Sequence, residues 1–339
     1  MKKLYVSILS LLFSVLLILP AFAGGSIETG SKTVTVYAYD SFTAEWGAGP
    51  EIAKRFKAKT GYTVKYVTLK DSGDVLARAI LEKDNPKADV LIGIDNYLAN
   101  KARAADILEP YHPNVSDTVI PKEYVFEEDW LLSPYDYGFF SIMYDTKAKV
   151  SAPNSLSDLT RPEYEKTLVI MDPRTSTPGL GFAVWTKAAF GESYLTFWEQ
   201  LKSSIITMTP GWSAGYSLFT SGEAAMAISY TTSMAYHVAA DKTDRFKALI
   251  FPEGHIMQIE GLGLVKGAAN PQGAKAFIDF MLSKEAQEVL PETQWMFPCS
   301  QEVQLPESFK AIPLPKKALT LSAKEAEEIV QPIIEILTR

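Results

Sequence analysis

The pattern of hydrophobic and polar positions changes repeatedly from the period of a strand to the period of a helix. Residues 33–39 carry the β-branched and aromatic side chains typical of a strand. Residues 50–58 repeat apolar side chains at helical spacing. Residues 63–69 then predict a second strand, 74–83 a second helix and 89–94 a buried third strand. This order predicts a layered, mostly parallel sheet with right-handed connections.

A further set of elements follows a polar, proline-containing connection. We expect strands at 167–171, 205–208 and 224–229, and helices at 97–105, 178–190, 194–202, 214–220, 271–290 and 323–337. Two long extended stretches, residues 130–144 and 248–265, are expected to pass from one set of elements to the other. The pattern therefore predicts an α/β protein of two lobes joined by two crossings, which opens and closes on a ligand by hinge motion.

The stretch 171–181, M-D-P-R-T-S-T-P-G-L-G, combines a strand end, a hydroxyl-rich turn and a helix start. We expect Thr177 to be the N-cap of that helix and Pro178 its first residue, where a missing N–H costs nothing. Free N–H groups and the positive end of the helix dipole favour an anion or a polar ligand at such a place. A well-capped helix that binds nothing is an equally open interpretation.

Polar residues also follow the three strands of the first set. They are the segments 39–41, 71–73 and 95–96, which read Tyr-Asp-Ser, Asp-Ser-Gly and Asp-Asn. Ligands of parallel sheets collect at the carboxyl ends of the strands, where these segments fall. Each segment alone is also compatible with ordinary turn chemistry.

Five aromatic residues lie at the ends of predicted elements rather than within periodic core stripes. They are Trp46, Trp212, Tyr230, Tyr236 and Trp295. Aromatic faces in such positions suit a flat cationic heterocycle, through stacking and cation–π attraction. Each of them alone is also compatible with a half-buried place in the core.

The first 23 residues have the features of an export signal. Lys2 and Lys3 precede an apolar run at 4–19, and Ala21-Phe22-Ala23 is an A-x-A cleavage signal, so we expect cleavage near Ala23. The whole chain of 339 residues has a net charge of −7, and loss of two lysines leaves 31 basic residues against 40 acidic ones, a net charge of −9. This charge disfavours nucleic acid and anionic membranes as partners and allows a cationic ligand.

Motifs for reaction chemistry are scarce in the sequence. It contains no phosphate loop of the G-x-x-x-x-G-K-[ST] type, no G-x-S-x-G and no H-E-x-x-H. Cys299 is the single cysteine, and the three histidines lie too far apart in sequence for a zinc motif. We therefore expect no cofactor, no metal and no catalytic residue.

Eight segments, spread over nearly the whole chain, carry a family resemblance: 36–50, 87–96, 134–140, 172–181, 209–216, 229–237, 252–255 and 295–298. Among them, V-Y-A-Y-D-S-F-T-A-E-W-G-A-G-P, D-P-R-T-S-T-P-G-L-G and S-Y-T-T-S-M-A-Y-H are the longest and most specific. They resemble the periplasmic thiamine-binding proteins, which deliver thiamine and its phosphates to an ABC-type importer. The resemblance implies a two-lobed periplasmic binding protein of the type II-like class, exported to the periplasm, monomeric, and served by an inner-membrane permease. Lobe I would comprise residues 24–134 and 256–305, and lobe II residues 135–255 and 306–339.

The resemblance also implies a set of ligand contacts. They are Asp71, Ser72, Ser176, Thr177, Trp212, Tyr230, Thr231, Thr232 and Ser233, with Tyr236 and Trp295 at aromatic positions and Tyr39, Asp40 and Trp46 in the first matching loop. Ser72 stands where a relative can carry glycine, so a contact from its backbone is expected there. We hypothesise that hydroxyl and N–H groups at 176–177 and 231–233 hold the hydroxyethyl or phosphate end of the ligand. The aromatic rings would then enclose the heterocycles, and an acid such as Asp71 or Asp40 would favour the thiazolium charge.

Two other functions remain open from the sequence. A secreted thiamine-cleaving enzyme has a related two-lobed fold but needs an activated cysteine, and Cys299 lies beside the late W-M-F-P segment rather than near the first-lobe cleft. A ferric-iron-binding protein would need paired tyrosines with carboxylate or histidine help, and the chain contains no adjacent Tyr-Tyr pair.

Overall fold

The computed structural model describes residues 32–116 and 118–339. The predicted signal peptide and its cleavage site near Ala23 lie outside the described residues. Within them the chain is a mixed α/β fold, as the alternation of strand and helix patterns predicts.

The structure contains twelve strands and thirteen α-helices in its described part. The strands are β1 (Thr33–Tyr39), β2 (Thr63–Leu69), β3 (Val90–Asp95), β4 (Leu108–Glu109), β5 (Ser133–Asp145), β6 (Leu168–Met171), β7 (Ile205–Thr209), β8 (Met226–Tyr230), β9 (Phe246–Leu249), β10 (His255–Val265), β11 (Phe297–Pro298) and β12 (Ala318–Leu319). The helices are α1 (Asp40–Thr43), α2 (Ala48–Thr60), α3 (Ser72–Leu81), α4 (Ala99–Ala105), α5 (Thr177–Phe190), α6 (Tyr194–Leu201), α7 (Trp212–Thr220), α8 (Ser233–Ala239), α9 (Pro271–Met281), α10 (Lys284–Gln287), α11 (Leu290–Thr293), α12 (Ala323–Glu328) and α13 (Val330–Thr338).

The main strands form one sheet in the order β2-β1-β3-β10-β5-β8-β6-β7. The outer pairs on both sides are parallel: β1 with β2 and β3, and β6 with β7 and β8. The two predicted crossings contain β5 and β10, which run antiparallel to each other in the middle of the sheet. Because β5 pairs with β10 along its first half and with β8 along its second, it connects the two parallel groups. The lobe borders given above stay a prediction.

Buried apolar side chains follow these groups of strands. One cluster packs α2 and α9 against the first group, with Phe56 and Phe277 fully buried and in edge contact at 5.2 Å. The larger cluster surrounds α5 and α6, where Phe182, Trp185 and Trp198 are also fully buried. The candidate site lies beside these cores, at strand ends and helix starts between the two groups.

Two predicted helices are wrong in extent, and proline explains part of the difference. The stretch 271–290 is divided among α9, α10 and α11, and the stretch 323–337 between α12 and α13. Pro332 lies in the first turn of α13 and has no N–H to donate to the carbonyl of Glu328 four residues earlier, so the helix is interrupted at Ile329. Ser283, between α9 and α10, has an extended backbone and caps α9 by donating its hydroxyl to the carbonyl of Phe280 at 2.6 Å.

The predicted N-cap of α5 is also wrong by one residue. The helix begins at Thr177, Ser176 is its N-cap, and the Ser176 side chain makes no capping hydrogen bond. The carboxylate of Asp71, 106 residues earlier, accepts instead from the Thr177 N–H. A cap supplied from so far along the chain leaves no local sequence signal.

Candidate ligand-binding site

A cavity of about 720 Å³ lies between the carboxyl ends of β1 and β2 and the N-termini of α5 and α7. Twelve of the fourteen predicted residues line it: Tyr39, Asp40, Trp46, Asp71, Ser72, Thr177, Trp212, Tyr230, Thr232, Ser233, Tyr236 and Trp295. Segments that are far apart in sequence therefore meet around one space. Their role in binding stays a prediction.

The other two predicted residues, Ser176 and Thr231, are not among the cavity-lining residues. Both are buried, Ser176 as the N-cap of α5 and Thr231 between β8 and α8. The backbone N–H of Thr231 donates to the carbonyl of Phe139 at 2.9 Å, which fixes the turn that carries Thr232 and Ser233. Their positions suit a supporting role behind the cavity surface better than a contact with a ligand.

Asp71 joins three helix starts at one side of the cavity. Its Oδ1 accepts from the N–H of Ser72 at 2.7 Å and of Thr177 at 3.2 Å, and its Oδ2 accepts from the N–H of Trp212 at 3.0 Å. These residues begin α3, α5 and α7, so one carboxylate satisfies N–H groups that would otherwise lack partners. Burial raises the pKa of Asp71 to about 6, although the N–H donors oppose that shift. We call Asp71 with the starts of α5 and α7 the helix-end wall.

Two further contacts hold the same segments together. The hydroxyl of Ser213, in the first turn of α7, donates to Asp40 Oδ1 at 2.7 Å. At Gly73 a Cβ atom would lie 2.4 Å from the backbone oxygen of Thr175, so only glycine allows the start of α3 to approach the 172–176 turn this closely. The starts of α1 and α3 therefore lie directly against α7 and the 172–176 turn beside the cavity.

Aromatic rings form a large part of the cavity surface. Trp212 stacks on Tyr216 with a centroid distance of 4.7 Å, and its indole N–H donates to Ser229 Oγ at 2.9 Å. Tyr236 and Trp295 meet edge to face at 5.6 Å. Trp295 has a φ of 57°, a strained value for a bulky residue that the surrounding structure must enforce, and such strain is concentrated at functional sites.

Sequence reasoning did not identify one side of the cavity. Glu260 lies within β10 and lines the cavity, and its Oε2 accepts from the hydroxyl of Tyr39 at 2.7 Å and from the hydroxyl of Tyr135. Gln294 also lines it and donates from Nε2 to the Tyr39 hydroxyl oxygen at 2.7 Å. We call Glu260, Gln294 and Tyr39 the carboxyl wall. A single acid inside an apolar stretch, I-E-G-L-G-L-V, was the one available signal for it.

Glu260 belongs to a row of buried acids across the middle of the sheet. It lies opposite Asp95 of β3 and opposite Asp136 of β5. Burial raises the pKa of Glu260 to about 7 and that of Asp95 to about 7, and it raises the pKa of Asp136 well above its usual range. Asp95 accepts from the backbone N–H groups of Tyr97 and Leu98, so it supports the turn after β3. Negative charge in this row would be stabilised by a cation in the adjacent cavity.

The remaining missed positions lie around the rim and on α7 and α8. They are Ser41, Lys70, Pro178, Ser213, Tyr216, Ser217, Thr220, Ala240, Asp241 and Met296. Behind this surface, His237 is fully buried, and its ring lies between the Tyr216 hydroxyl and Asp241 Oδ2, at 2.7 Å from each. Burial lowers the pKa of His237, so the ring is neutral near pH 7 and holds Tyr216 in place behind Trp212.

Within the described residues, His, Cys, Asp and Glu side chains form no group of three or more that could hold a metal ion. Cys299 is fully buried, and burial raises the pKa of its thiol well above the usual range. It is not among the cavity-lining residues.

Comparison with protein-family models finds a match over residues 85–328 to the family described as bacterial extracellular solute-binding protein. The match covers more than half of the chain. The chain belongs to this family. No helix in the described part is both long enough and apolar enough to cross a membrane.

Individual relatives extend the comparison to nearly the whole chain. The thiamine-binding periplasmic protein of Brucella suis biovar 1 (strain 1330) is 39% identical over 93% of this chain and 92% of the relative. The protein with the same name from Escherichia coli (strain K12) is 37% identical over 88% of this chain and 89% of the relative. These relatives confirm the family resemblance from which the site residues were predicted.

Solved structures agree with the sequence relatives. A periplasmic thiamin binding protein superposes with a TM-score of 0.85 at 34% identity, over 91% of this chain and 96% of that one. A ferric binding protein from Campylobacter jejuni superposes with a TM-score of 0.73 at 20% identity, over 90% of this chain and 98% of that one, and shows the fold alone. The fold of a periplasmic binding protein is thereby confirmed.

Proposed function

We propose that this protein captures thiamine, and its mono- and diphosphate, in the 720 Å³ cavity and delivers the ligand to an ABC importer. The observation that carries this proposal is the convergence of twelve expected residues from distant segments on one cavity. Its size is typical of sites for small organic ligands. The relatives named as thiamine-binding proteins support the same ligand.

The charges around the cavity favour a cation. Four acids, Asp40, Asp71, Asp241 and Glu260, line it, and Lys70 is the one basic side chain among its described lining residues. Thiamine carries a permanent positive charge on its thiazolium ring. Carboxylates in a partly desolvated cavity attract such a charge more strongly than carboxylates in water.

The aromatic rings and hydroxyl groups suit the other parts of the ligand. The faces of Trp212, Tyr236 and Trp295 offer stacking surfaces for the two flat heterocycles. Thr232 and Ser233 supply hydroxyl groups at the start of α8, near the helix-end wall, for the hydroxyethyl or phosphate tail. The N–H groups of Thr177 and Trp212 already bind Asp71, so a phosphate that reaches them must share them with this carboxylate.

The delivery cycle follows from the two-lobed arrangement. Lobe I, residues 24–134 and 256–305, and lobe II, residues 135–255 and 306–339, would separate and close around β5 and β10. The contacts of Asp71 and Asp40 with α5 and α7 would form on closure. The protein would be exported by its signal peptide, act as a monomer in the periplasm, and transfer thiamine to an inner-membrane permease.

Binding without turnover is part of this proposal. Cleavage of thiamine would need a reactive thiolate facing the ligand, whereas the Cys299 thiol is buried and its pKa is raised. Incubation of the purified protein with thiamine and a nucleophilic amine tests the point. Release of the pyrimidine that disappears in Cys299→Ser would establish an enzyme and contradict the proposal.

The direct test of the proposed function is native mass spectrometry of the protein purified from cells. We expect a co-purified mass equal to thiamine or one of its phosphates. Calorimetric titration of the ligand-free protein with thiamine should then give a one-to-one complex. Absence of binding to thiamine and to both phosphates would overturn the proposal.

A further inference from the structure

The carboxyl wall contains an acceptor that the protein itself leaves unused. Glu260 is 5% exposed, and both hydroxyl groups that reach it, from Tyr39 and Tyr135, donate to Oε2. Its other oxygen, Oε1, has no hydrogen-bond partner within residues 32–116 and 118–339. Since Glu260 lines the cavity and Oε1 is not a fully buried atom, this acceptor is available to a ligand. A carboxylate oxygen at a cavity surface with no donor from the protein can accept a hydrogen bond from a donor group of a bound ligand.

The hydrogen bonds around Glu260 run in one direction. The amide Nε2 of Gln294 donates to the Tyr39 hydroxyl oxygen at 2.7 Å, and the Tyr39 hydroxyl donates to Glu260 Oε2 at 2.7 Å. The Tyr39 proton is therefore committed to Glu260 and is unavailable to a ligand. The carbonyl oxygen of Gln294 is buried and also lacks a partner within the described residues. Toward the cavity, the carboxyl wall thus presents the acceptor Oε1 of Glu260, and the hydroxyl proton of Tyr39 is already used.

We propose that Glu260 selects the amino-substituted pyrimidine ring of the ligand, with Oε1 accepting a hydrogen bond from the amino group. This inference rests on the proposed function. Trp295, which follows Gln294 in the chain, and its edge contact Tyr236 line the cavity and can bound the ring face. A ring that carries an oxo group in place of the amino group presents an acceptor to the Glu260 oxygen. Two facing acceptors repel, so the oxo ring is rejected.

A second explanation gives Glu260 a general electrostatic role toward the thiazolium charge. The two roles differ in what they predict for the oxo analogue of thiamine, which has the same thiazolium ring but lacks the amino donor. If Glu260 acts only through its charge, substituting it should lower the affinity for both ligands by the same factor. If Glu260 recognises the amino group, the substitution should lower the affinity for thiamine only.

The test is calorimetric titration at pH 8, where Glu260 with its pKa of about 7 is ionised, of the wild-type protein and of Glu260→Gln with thiamine and with its oxo analogue. The wild-type protein should prefer thiamine by at least about 10-fold, on the scale of one hydrogen bond to a charged group. In Glu260→Gln the amide oxygen can accept from the two tyrosines, so the NH₂ group faces the cavity. Thiamine should then lose about 10-fold or more in affinity, and the preference should disappear or reverse.

Asp241→Asn provides the matched control, because it removes one negative charge from another residue that lines the cavity. It should weaken both ligands by a similar factor and leave their ratio as in the wild type. Gln294→Met, which removes the donor to Tyr39 while keeping a side chain of similar length, should lower the ratio several-fold, and it replaces Glu260→Gln if that variant does not fold. The ratio of two ligands within one variant is insensitive to a loss of folded protein.

Equal affinities of the wild-type protein for the two ligands would overturn the inference, as would an unchanged ratio in Glu260→Gln. In both cases the proposed thiamine function would stand. Failure of the wild-type protein to bind either ligand would instead overturn the proposed function.

Discussion

The two walls of the cavity are built in different ways. The helix-end wall consists of a strand-end acid, Asp71, and the first residues of α5 and α7, with three backbone N–H groups directed at one carboxylate. The carboxyl wall consists of an acid in the middle of a central strand, Glu260, with hydroxyl and amide side chains around it. One wall is made of backbone donors around a satisfied carboxylate. The other is a carboxylate with a free acceptor oxygen.

The difference indicates a division of roles between closure and selection. The hydrogen bonds of Asp71 connect α3 to α5 and α7, so the helix-end wall can form only when those helices are close. Glu260 of the carboxyl wall lies within the sheet, where β10 pairs with both neighbouring strands. We therefore expect changes in the helix-end wall to weaken all ligands, and changes in the carboxyl wall to alter the choice among them.

The largest expected effect comes from removal of the shared carboxylate. Asp71→Ala leaves the N–H groups of Ser72, Thr177 and Trp212 without this acceptor. Each hydrogen bond to a charged group contributes about 1.5–3 kcal/mol. Two of the three connect separate helices, so we expect a loss of about 3 kcal/mol or more in thiamine binding, over 100-fold, measured by calorimetry.

Asp74→Asn is the control for this prediction. Asp74 lies on the same helix, carries the same charge and is not among the cavity-lining residues. It should change affinity by less than about 3-fold, on the scale of an exposed charge. Equal effects of the two substitutions would show that charge alone matters, and the closure role of the helix-end wall would then be wrong.

An intermediate effect is expected from the aromatic surface between the walls. Trp212→Ala removes a stacking face while leaving the Trp212 backbone N–H, which binds Asp71, in place. The loss of thiamine affinity should be about 1–3 kcal/mol, as for an aromatic anchor in a binding site. Trp46→Ala should cost less, because Trp46 is 55% exposed at the cavity rim. Titration by calorimetry decides both, and unchanged affinity in Trp212→Ala would remove this residue from the site.

The contrast between the walls also explains what the sequence could predict. Strands β1 and β2 were predicted to the residue, because period-two patterns and β-branched side chains mark them locally. The helix-end wall was accessible for the same reason, since turns after strands and residues at helix starts carry local signals. The distant origin of the α5 cap, Asp71, was not accessible, because no local pattern records a contact across 106 residues.

The carboxyl wall, in contrast, could not be predicted from local sequence patterns. Glu260 appeared in the sequence as one acid in an apolar run, and nothing nearby indicates that Tyr39 and Tyr135 surround it. The family resemblance supplied Tyr39 but neither Glu260 nor Gln294. A central strand is specified by its apolar neighbours, so a functional side chain on it looks like an exception to the pattern. Only the register of β10 against β3 and β5 shows which other acids accompany it.

A pH titration of the ligand-free protein probes the carboxyl wall. Glu260 and Asp95 have a pKa raised to about 7 by burial, so the folded protein binds more protons than the unfolded chain between about pH 4.5 and 7. The free energy of unfolding should therefore fall by about 1–2 kcal/mol from pH 6.5 to 8 as these carboxyls ionise. His237 and His255, with lowered pKa values, are neutral in the folded protein but partly protonated in the unfolded chain near pH 6.5, so they oppose this fall over the lower part of the window.

Urea denaturation at several pH values measures this slope. Glu260→Gln should reduce this slope, because one of the contributing carboxyls no longer titrates, while Asp95 and Asp136 remain. Asp71→Asn should change it less, since the pKa of Asp71, about 6, lies below most of the window. A free energy of unfolding that is independent of pH from 6.5 to 8 would contradict the raised pKa values of Glu260 and Asp95.

The smallest expected effect tests which wall faces the ligand tail. Lys70 directly precedes Asp71, lines the cavity beside the helix-end wall and is exposed. An exposed charge of this kind contributes about 0–1 kcal/mol to an ion pair. Lys70→Gln should therefore weaken binding of thiamine diphosphate a few-fold while leaving free thiamine unchanged or slightly tighter, because the removed charge attracts phosphate and repels the thiazolium. Lys65 is an exposed lysine on β2, the strand that precedes Lys70, and it does not line the cavity, so Lys65→Gln should leave both affinities unchanged. The effect of Lys70→Gln on the affinity for thiamine diphosphate should disappear at high salt, where exposed charges are screened.

If Lys70→Gln instead weakened the binding of free thiamine and of the diphosphate alike, the tail would lie elsewhere, and the assignment of the helix-end wall to the phosphate end would have to be abandoned.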